Sequence, residues 1–200
     1  GERIIQEQLA QQLGISRQPV QQALTLLRKE GVLTDAPGRG LQVAPLDLEH
    51  VRHMYEVRAV IEGLAFRMAA ERCTAQANQR GSALIRAGRQ AVAKQSYADM
   101  IAADMAFHDF IYGLSGNPLV APAMQTHWTQ TQRVMGEVLM RDDKPRDIWA
   151  EHDAMLAAIV RGDAAEAERL AREHVGSAAD FMIGRLMAGT GEPGVSVSPD

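Results

Sequence analysis

Apolar residues recur at three- and four-residue intervals along most of this chain, the spacing of helices that bury one face. In the first 45 residues Ile4, Ile5, Leu9 and Leu13 predict a short helix over Glu2 to Gln12, closed by Gly14, which suits the left-handed conformation after a helix. Ser16 is placed to cap a second helix, with Pro19 in its first turn and Val20, Ala23, Leu24 and Leu27 facing inward, until Gly31 ends it. Val32-Leu33-Thr34 and Leu41-Gln42-Val43 are short β-prone runs. The turn formers from Asp35 to Gly40 join them into a hairpin with Arg39 at its tip.

Pro45-Leu46-Asp47 interrupts the pattern and marks a domain boundary. Six helices follow, over Leu48 to Arg72, Thr74 to Lys94, Tyr97 to Leu114, Pro118 to Met140, Pro145 to Val160, and from Gly162-Asp163 to Met187. The apolar side of the first is read as Val51, Met54, Val57, Ile61, Leu64, Ala65 and Met68. Ala188 to Asp200 is rich in Gly, Pro and Ser and is expected to be a disordered tail. The fold class expected is mainly α: a winged helix-turn-helix over residues 1–45 and a six-helix antiparallel bundle over 46–187.

Composition agrees with that class. Aromatic residues make up 4% and hydrophobic residues 46%, which favours helices around a substantial core. A single cysteine, Cys73, cannot form an internal disulfide, and no apolar run reaches the roughly 20 residues of a membrane span. A soluble cytoplasmic protein with no membrane partner is expected. The net charge of -4 is unevenly spread: residues 1–45 carry +1 and the remainder -5, a slight asymmetry that does not by itself identify a nucleic-acid partner.

Two polar features stand out against this helical background. In a helix-turn-helix the second helix enters the major groove N-terminus first, so Ser16, Arg17, Gln18, Gln21 and Gln22 are the groove-facing candidates. Arg39 on the hairpin tip suits a narrow minor groove. The second feature is Asp104 and His108, four residues apart on one face of a helix among Ile101, Met105, Ala106 and Leu114. His152 and His174 lie in later helices with similarly apolar neighbours. A bundle can bring one carboxylate and three imidazoles to one point, a donor set for Zn, Ni, Mn or Fe with positions left for water or a ligand.

Leu9-Ala10, the run Leu13 to Val20, Ala23-Leu24, Leu27, Glu30-Gly31-Val32 and Gly38-Arg39-Gly40 resemble the winged helix of the GntR family of bacterial transcription regulators. Gly1 to Ile4 resembles the segment after that family's first helix, so most of that helix is expected to be missing. Arg58 with Glu62, Asp104 with Phe107-His108, Ser115 to Leu119, His152 with Ala158-Ile159, Gly162-Asp163 and His174 resemble the helical ligand-binding domain of the FadR subfamily, in its VanR-like branch. The resemblance implies DNA contact by residues at Ser16, Arg17, Gln18, Pro19, Gln21, Arg39 and Gly40. At Gln21 the family usually has Arg and at Gln22 often Glu, so one cationic contact is replaced here. It also implies a divalent metal on Asp104, His108, His152 and His174, completed by a small organic acid that Arg58 and Asn117 help to hold.

The function expected is a homodimeric repressor of double-stranded operator DNA, released by that acid, and not an enzyme. Two other readings start from the same residues. A metal-dependent hydrolase needs a general base near the metal, and Asp109, Glu151 and Asp153 are expected to point away. A constitutive DNA-binding protein would use the metal only as a staple. Other features have plainer explanations: His50, His53 and His127 match no ligand position, and the methionines at core spacing are filler. On an exposed face, Arg58 with Glu62 would be an ordinary ion pair worth about 0.3 to 0.5 kcal/mol.

Overall fold

The computed structural model describes residues 1–72, 75–140 and 147–189. The expected helix starts at Thr74 and Pro145, Cys73, and the tail beyond Gly189 lie outside the described residues. The chain divides into two compact units, Gly1–Asp47 and Leu48 onward.

The first unit is a winged helix. Helices α1 (Gln6–Leu13) and α2 (Arg17–Lys29) precede strands β2 (Leu33–Asp35) and β3 (Leu41–Val43), which pair antiparallel with Asp35 opposite Leu41. Gly14 links the helices at φ 64°, a conformation that costs a side-chain-bearing residue free energy and glycine little. Ala10, Val20, Leu24 and Leu33 form its core, with Ile4, Leu9, Leu27, Leu41 and Val43 packed around them. Three local expectations are corrected. Glu2 to Ile5 is not helical: Arg3–Ile4 forms strand β1, which pairs with β3 and places Ile4 opposite Leu41. The sheet order is therefore β1-β3-β2. Ala23, read as inward-facing, is exposed. Ser16 occupies the cap position of α2, but its side chain makes no capping hydrogen bond.

The second unit contains α3 (Leu48–Glu71), α4 (Ala75–Ala93), α5 (Tyr97–Ser115), α6 (Val120–Leu139), α7 (Trp149–Val160) and α8 (Ala164–Gly189). Helix α8 runs two residues past the expected end at Met187 and packs most extensively on α3. Helix α5 is capped by Ser96, whose hydroxyl accepts from the Asp99 amide. Phe66, Phe107, Ile111, Met155, Ile159 and Ala167 share one core drawn from α3, α5, α7 and α8. Val57, expected on the inner side of α3, is 45% exposed. The buried stripe of that helix instead runs through Val51, Met54, Tyr55, Arg58, Glu62, Ala65, Phe66 and Ala69. Two charged residues thus occupy core positions.

Helices α4 and α7 approach closely where Gly88 faces the Trp149 indole. A Cβ at Gly88 would lie 1.9 Å from the ring, so one of the two must move. Gly88→Ala is therefore expected to lower stability by about 1–3 kcal/mol despite the better helix propensity of alanine. Urea unfolding followed by tryptophan fluorescence checks this, and an unchanged midpoint would refute the tight packing. Trp149 also lies edge-on to His152, with ring centroids 4.8 Å apart, so the substitution reaches the polar centre of the bundle.

Candidate metal and anion centre

Four of the polar residues singled out from sequence occupy inward positions of three helices. Asp104 and His108 come from α5, His152 from α7 and His174 from α8, and all four are buried. One donor atom from each lies within 4.8 Å of all the others. Asp104 Oδ1 is 3.4 Å from His152 Nε2 and 3.8 Å from His108 Nε2. Donors bound at about 2.1 Å to one ion sit at such separations. Asp104 Oδ1 and His108 Nε2 are buried without a hydrogen-bond partner among the described residues. Orphaned polar atoms of this kind cost about 1–3 kcal/mol each unless something satisfies them, and a divalent ion accepts both an imidazole nitrogen and a carboxylate oxygen. The donor set fits a transition ion.

Two imidazoles have a carboxylate behind them. Glu62 Oε2 lies 2.7 Å from His108 Nδ1, a charge contact without aligned hydrogen-bond geometry. Glu151 Oε2 lies 2.7 Å from His174 Nδ1. Each carboxylate favours a proton on Nδ1 and leaves Nε2 as the donor, the usual way ligating histidines are oriented. The rings are also walled in. Phe107 stacks on His152 at 4.4 Å, while Phe66 and Trp128 each stand 5.8 Å from His108. Six of the nine aromatic residues, Tyr55, Phe66, Phe107, Tyr112, Trp128 and Trp149, line this centre or the cation beside it.

That cation is Arg58. Arg58 is 4% exposed, so the surface-pair reading of Arg58 and Glu62 does not hold. Nε donates to Glu62 Oε1 at 2.9 Å, Nη2 lies 2.9 Å from the same oxygen, and Nη1 donates to Thr131 Oγ1 at 3.2 Å. Tyr55 and Trp128 cover the guanidinium at 4.8 and 4.9 Å. Burial acts to raise the Glu62 carboxyl, but Arg58 and His108 outweigh it and hold it at about 2. Burial likewise disfavours charge on His108, and Glu62 and Asp104 overcome it and raise that imidazole. Tyr112 adds a buried hydroxyl without a hydrogen-bond partner among the described residues, its ring 6.3 Å from His108.

The remaining candidates fall elsewhere. Asn117 Oδ1 accepts from the Leu119 amide at 3.0 Å and shapes the turn into α6, so its side chain has a local structural use. His50 and His53 are exposed, and His127 is half-buried outside the four-residue group. Asp109 is exposed and Asp153 pairs with Arg89, both directed away as expected. Glu151 is the correction, because it turns toward His174. A groove of about 360 Å³ lined by Glu151, Ala154, Met155, Glu173, His174 and Ser177 reaches the outer side of that histidine. In the first unit Ser16, Arg17, Gln18, Pro19, Gln21, Arg39 and Gly40 are all exposed. Arg17 is in an ion pair with Glu7, and the Arg39 carbonyl accepts from Arg3.

Sequence reasoning missed Glu62 as a site residue, along with Glu151, Tyr55, Tyr112, Trp128 and Thr131. The signal for Glu62 was its phase. Positions 54, 55, 58, 62, 65 and 66 follow one helical stripe, and a Glu there is buried if the apolar members are. Glu151 carried no comparable signal, since its contact depends on where α8 lies.

Comparison with known proteins places this geometry. Residues 53–177, more than half of the chain, match the FCD domain, and residues 1–43 match the bacterial regulatory proteins of the gntR family. The Nta operon transcriptional regulator of Aminobacter aminovorans is 35% identical over 123 residues, which cover 58% of this chain and 55% of that protein. The chain thus spans about half the length of this relative. The HTH-type transcriptional repressor RspR of Escherichia coli is 22% identical over 88% of this chain and 77% of its own. Among solved structures, E. coli McbR/YncC superposes with a TM-score of 0.81 at 22% identity, covering 93% of this chain and 89% of that one. A putative GntR regulator from Rhodococcus sp. RHA1 superposes with a TM-score of 0.73 at 19% identity, covering 91% and 87%. These families and named relatives are regulators rather than enzymes. No helix among the described residues is long and apolar enough to cross a membrane. A winged helix matching one family model and a six-helix unit matching the other make this chain a member of the gntR family of bacterial regulatory proteins, with an FCD domain.

Proposed function

We propose that this protein is a DNA-binding transcription regulator, a homodimeric repressor whose hold on operator DNA is relieved by a small organic acid. The convergence of four buried donors with a buried arginine in one polar network carries this reading. A divalent transition ion supplies positive charge and open coordination positions that attract a carboxylate oxygen. Asp104, His108, His152 and His174 hold it, Glu62 and Glu151 orient two of the imidazoles, and Arg58 provides a second cation for the acid. The repressor sign follows the relative named as a repressor, RspR. Ser16, Arg17, Gln18, Pro19 and Gln21 at the start of α2 enter the major groove, and Arg39 and Gly40 of the wing reach the adjacent minor groove.

A released repressor requires that the acid bind the DNA-incompetent arrangement more tightly, by about 1–3 kcal/mol in typical cases. Electrophoretic titration of operator DNA with metal-loaded protein, with and without a panel of small carboxylates, tests this. An acid that binds the metal form but leaves operator affinity unchanged would refute release and leave the metal as a staple. In the same assay Arg39→Ala is expected to weaken DNA binding and to lower the salt slope by about 1, the signature of one lost phosphate or groove cation contact. An unchanged slope would remove Arg39 from the interface.

A further inference from the structure

The Glu62 carboxylate makes two contacts that belong to different parts of the site. Its Oε1 faces both Nε and Nη2 of Arg58 at 2.9 Å, and its Oε2 faces His108 Nδ1 at 2.7 Å. With Thr131 on Nη1, each guanidinium nitrogen has a partner, and Tyr55 and Trp128 fill the faces. The Nε–Nη2 edge of the guanidinium, one that suits a carboxylate, is therefore already taken by one from the chain itself. Glu62 has no exposed surface, so it cannot swing into solvent when a second carboxylate arrives. It can only shift its weight toward His108.

We propose that Glu62 is an internal stand-in for the effector's carboxylate, occupying its place on Arg58 while backing His108, so that the acid and the metal site act on each other through one side chain. The inference rests on the effector reading above. An acid that takes Arg58 leaves Glu62 paired with His108 alone, through the charge contact of its Oε2, which changes how α3, the helix of Arg58 and Glu62, is tied to α5, the helix of Asp104 and His108. Glu62 is a positioning residue in this scheme, and it also sets a threshold. Only an acid that binds Arg58 and the metal together outcompetes a carboxylate that is already in place.

The test uses the full chain loaded with Co²⁺, whose visible absorption reports its coordination, and acetate as the probe. The natural protein, Glu62→Asp and Glu62→Gln are titrated in parallel. Asp keeps the charge but is one methylene shorter and cannot serve Arg58 and His108 at once. Both variants are expected to bind acetate about tenfold tighter, and to hold Co²⁺ about tenfold more weakly against a chelating dye, as loss of a ligand's backing carboxylate does. Arg58→Gln added to either variant is expected to erase the gain in acetate binding. Unchanged acetate binding in both Glu62 variants overturns the proposal, and so does tightening in Glu62→Gln alone, which would be a charge effect. A Co²⁺ spectrum that ignores acetate in every variant overturns the effector reading and this proposal with it. Failure to bind Co²⁺ does the same to the metal reading. Should the Glu62 variants lose their helical circular dichroism, Thr131→Val, which frees Nη1 and leaves Glu62 in place, is titrated instead. A modest tightening of acetate is then expected, and no change overturns the proposal.

Discussion

Saturation with Zn²⁺ is expected to raise the unfolding free energy by about 4 kcal/mol at a free metal concentration a thousandfold above Kd, and His152→Ala/His174→Ala is expected to abolish the gain. The size follows from mass action on a site that exists only in the folded chain, because its donors come from α5, α7 and α8. Elemental analysis of the purified protein and the double variant, with calorimetric melting before and after chelation, makes the measurement. Protein that remains metal-free after incubation with Zn, Ni and Mn would make the four residues structural. The pH dependence has opposite signs in the two forms. In metal-free protein the raised His108 value contributes stability that is complete below about 6.5, the unfolded value. That contribution is lost as the pH climbs through the folded value, because Glu62 and Asp104 then face a neutral ring. The metal needs that ring deprotonated, so stabilisation by Zn²⁺ grows over the same rise in pH.

Arg58→Ala is expected to cost about 3–5 kcal/mol, several times the value of an exposed helical ion pair, because it strands a buried carboxylate. Glu62 has 0% exposure, and among the described residues Arg58 supplies the charge-assisted contacts of Oε1 at 2.9 Å. Urea unfolding of metal-free protein at neutral pH reads the loss directly. The paired change Arg58→Met with Glu62→Leu is expected to cost less than Arg58→Met alone, since removing both charges leaves neither unpaired. A single variant within about 0.5 kcal/mol of the natural protein would mean that water reaches the pair. Acid supplies an independent check. The Glu62 carboxyl titrates at about 2 in the fold. Its contribution is complete above about 4.3, the unfolded value, and is lost as the pH falls through the folded one. Arg58→Ala should flatten that part of the acid-unfolding curve.

The four polar residues that converge in the bundle were legible in the chain because their burial depends on local quantities. Asp104 and His108 share a face by helical geometry alone, and His152 and His174 each sit in phase with apolar neighbours that have to be buried. Arg58 was legible as a residue but not as an environment. The same i,i+4 spacing describes an exposed pair and a buried one, and only the phase of Tyr55, Ala65 and Phe66 separates the two. A polar side chain beside a helix end, such as Asn117, is as well suited to an Asx turn as to a ligand, and its Oδ1 accepts from the Leu119 amide.

By itself the sequence determined the helices, the turn at Gly14 and the wing, and it singled out the four polar residues that the fold brings together, since period, turn chemistry and residue type are written in neighbouring residues. Tertiary structure decided what depends on distant partners. Strand β1 exists because β3 offers Arg3 and Ile4 a hydrogen-bonding edge, which overrides a helical pattern too short to sustain itself. Glu62 and Glu151 meet imidazoles 46 and 23 positions away, and Arg58 meets a threonine 73 positions on. No local pattern encodes such separations, because packing of α3, α5, α6, α7 and α8 alone sets them.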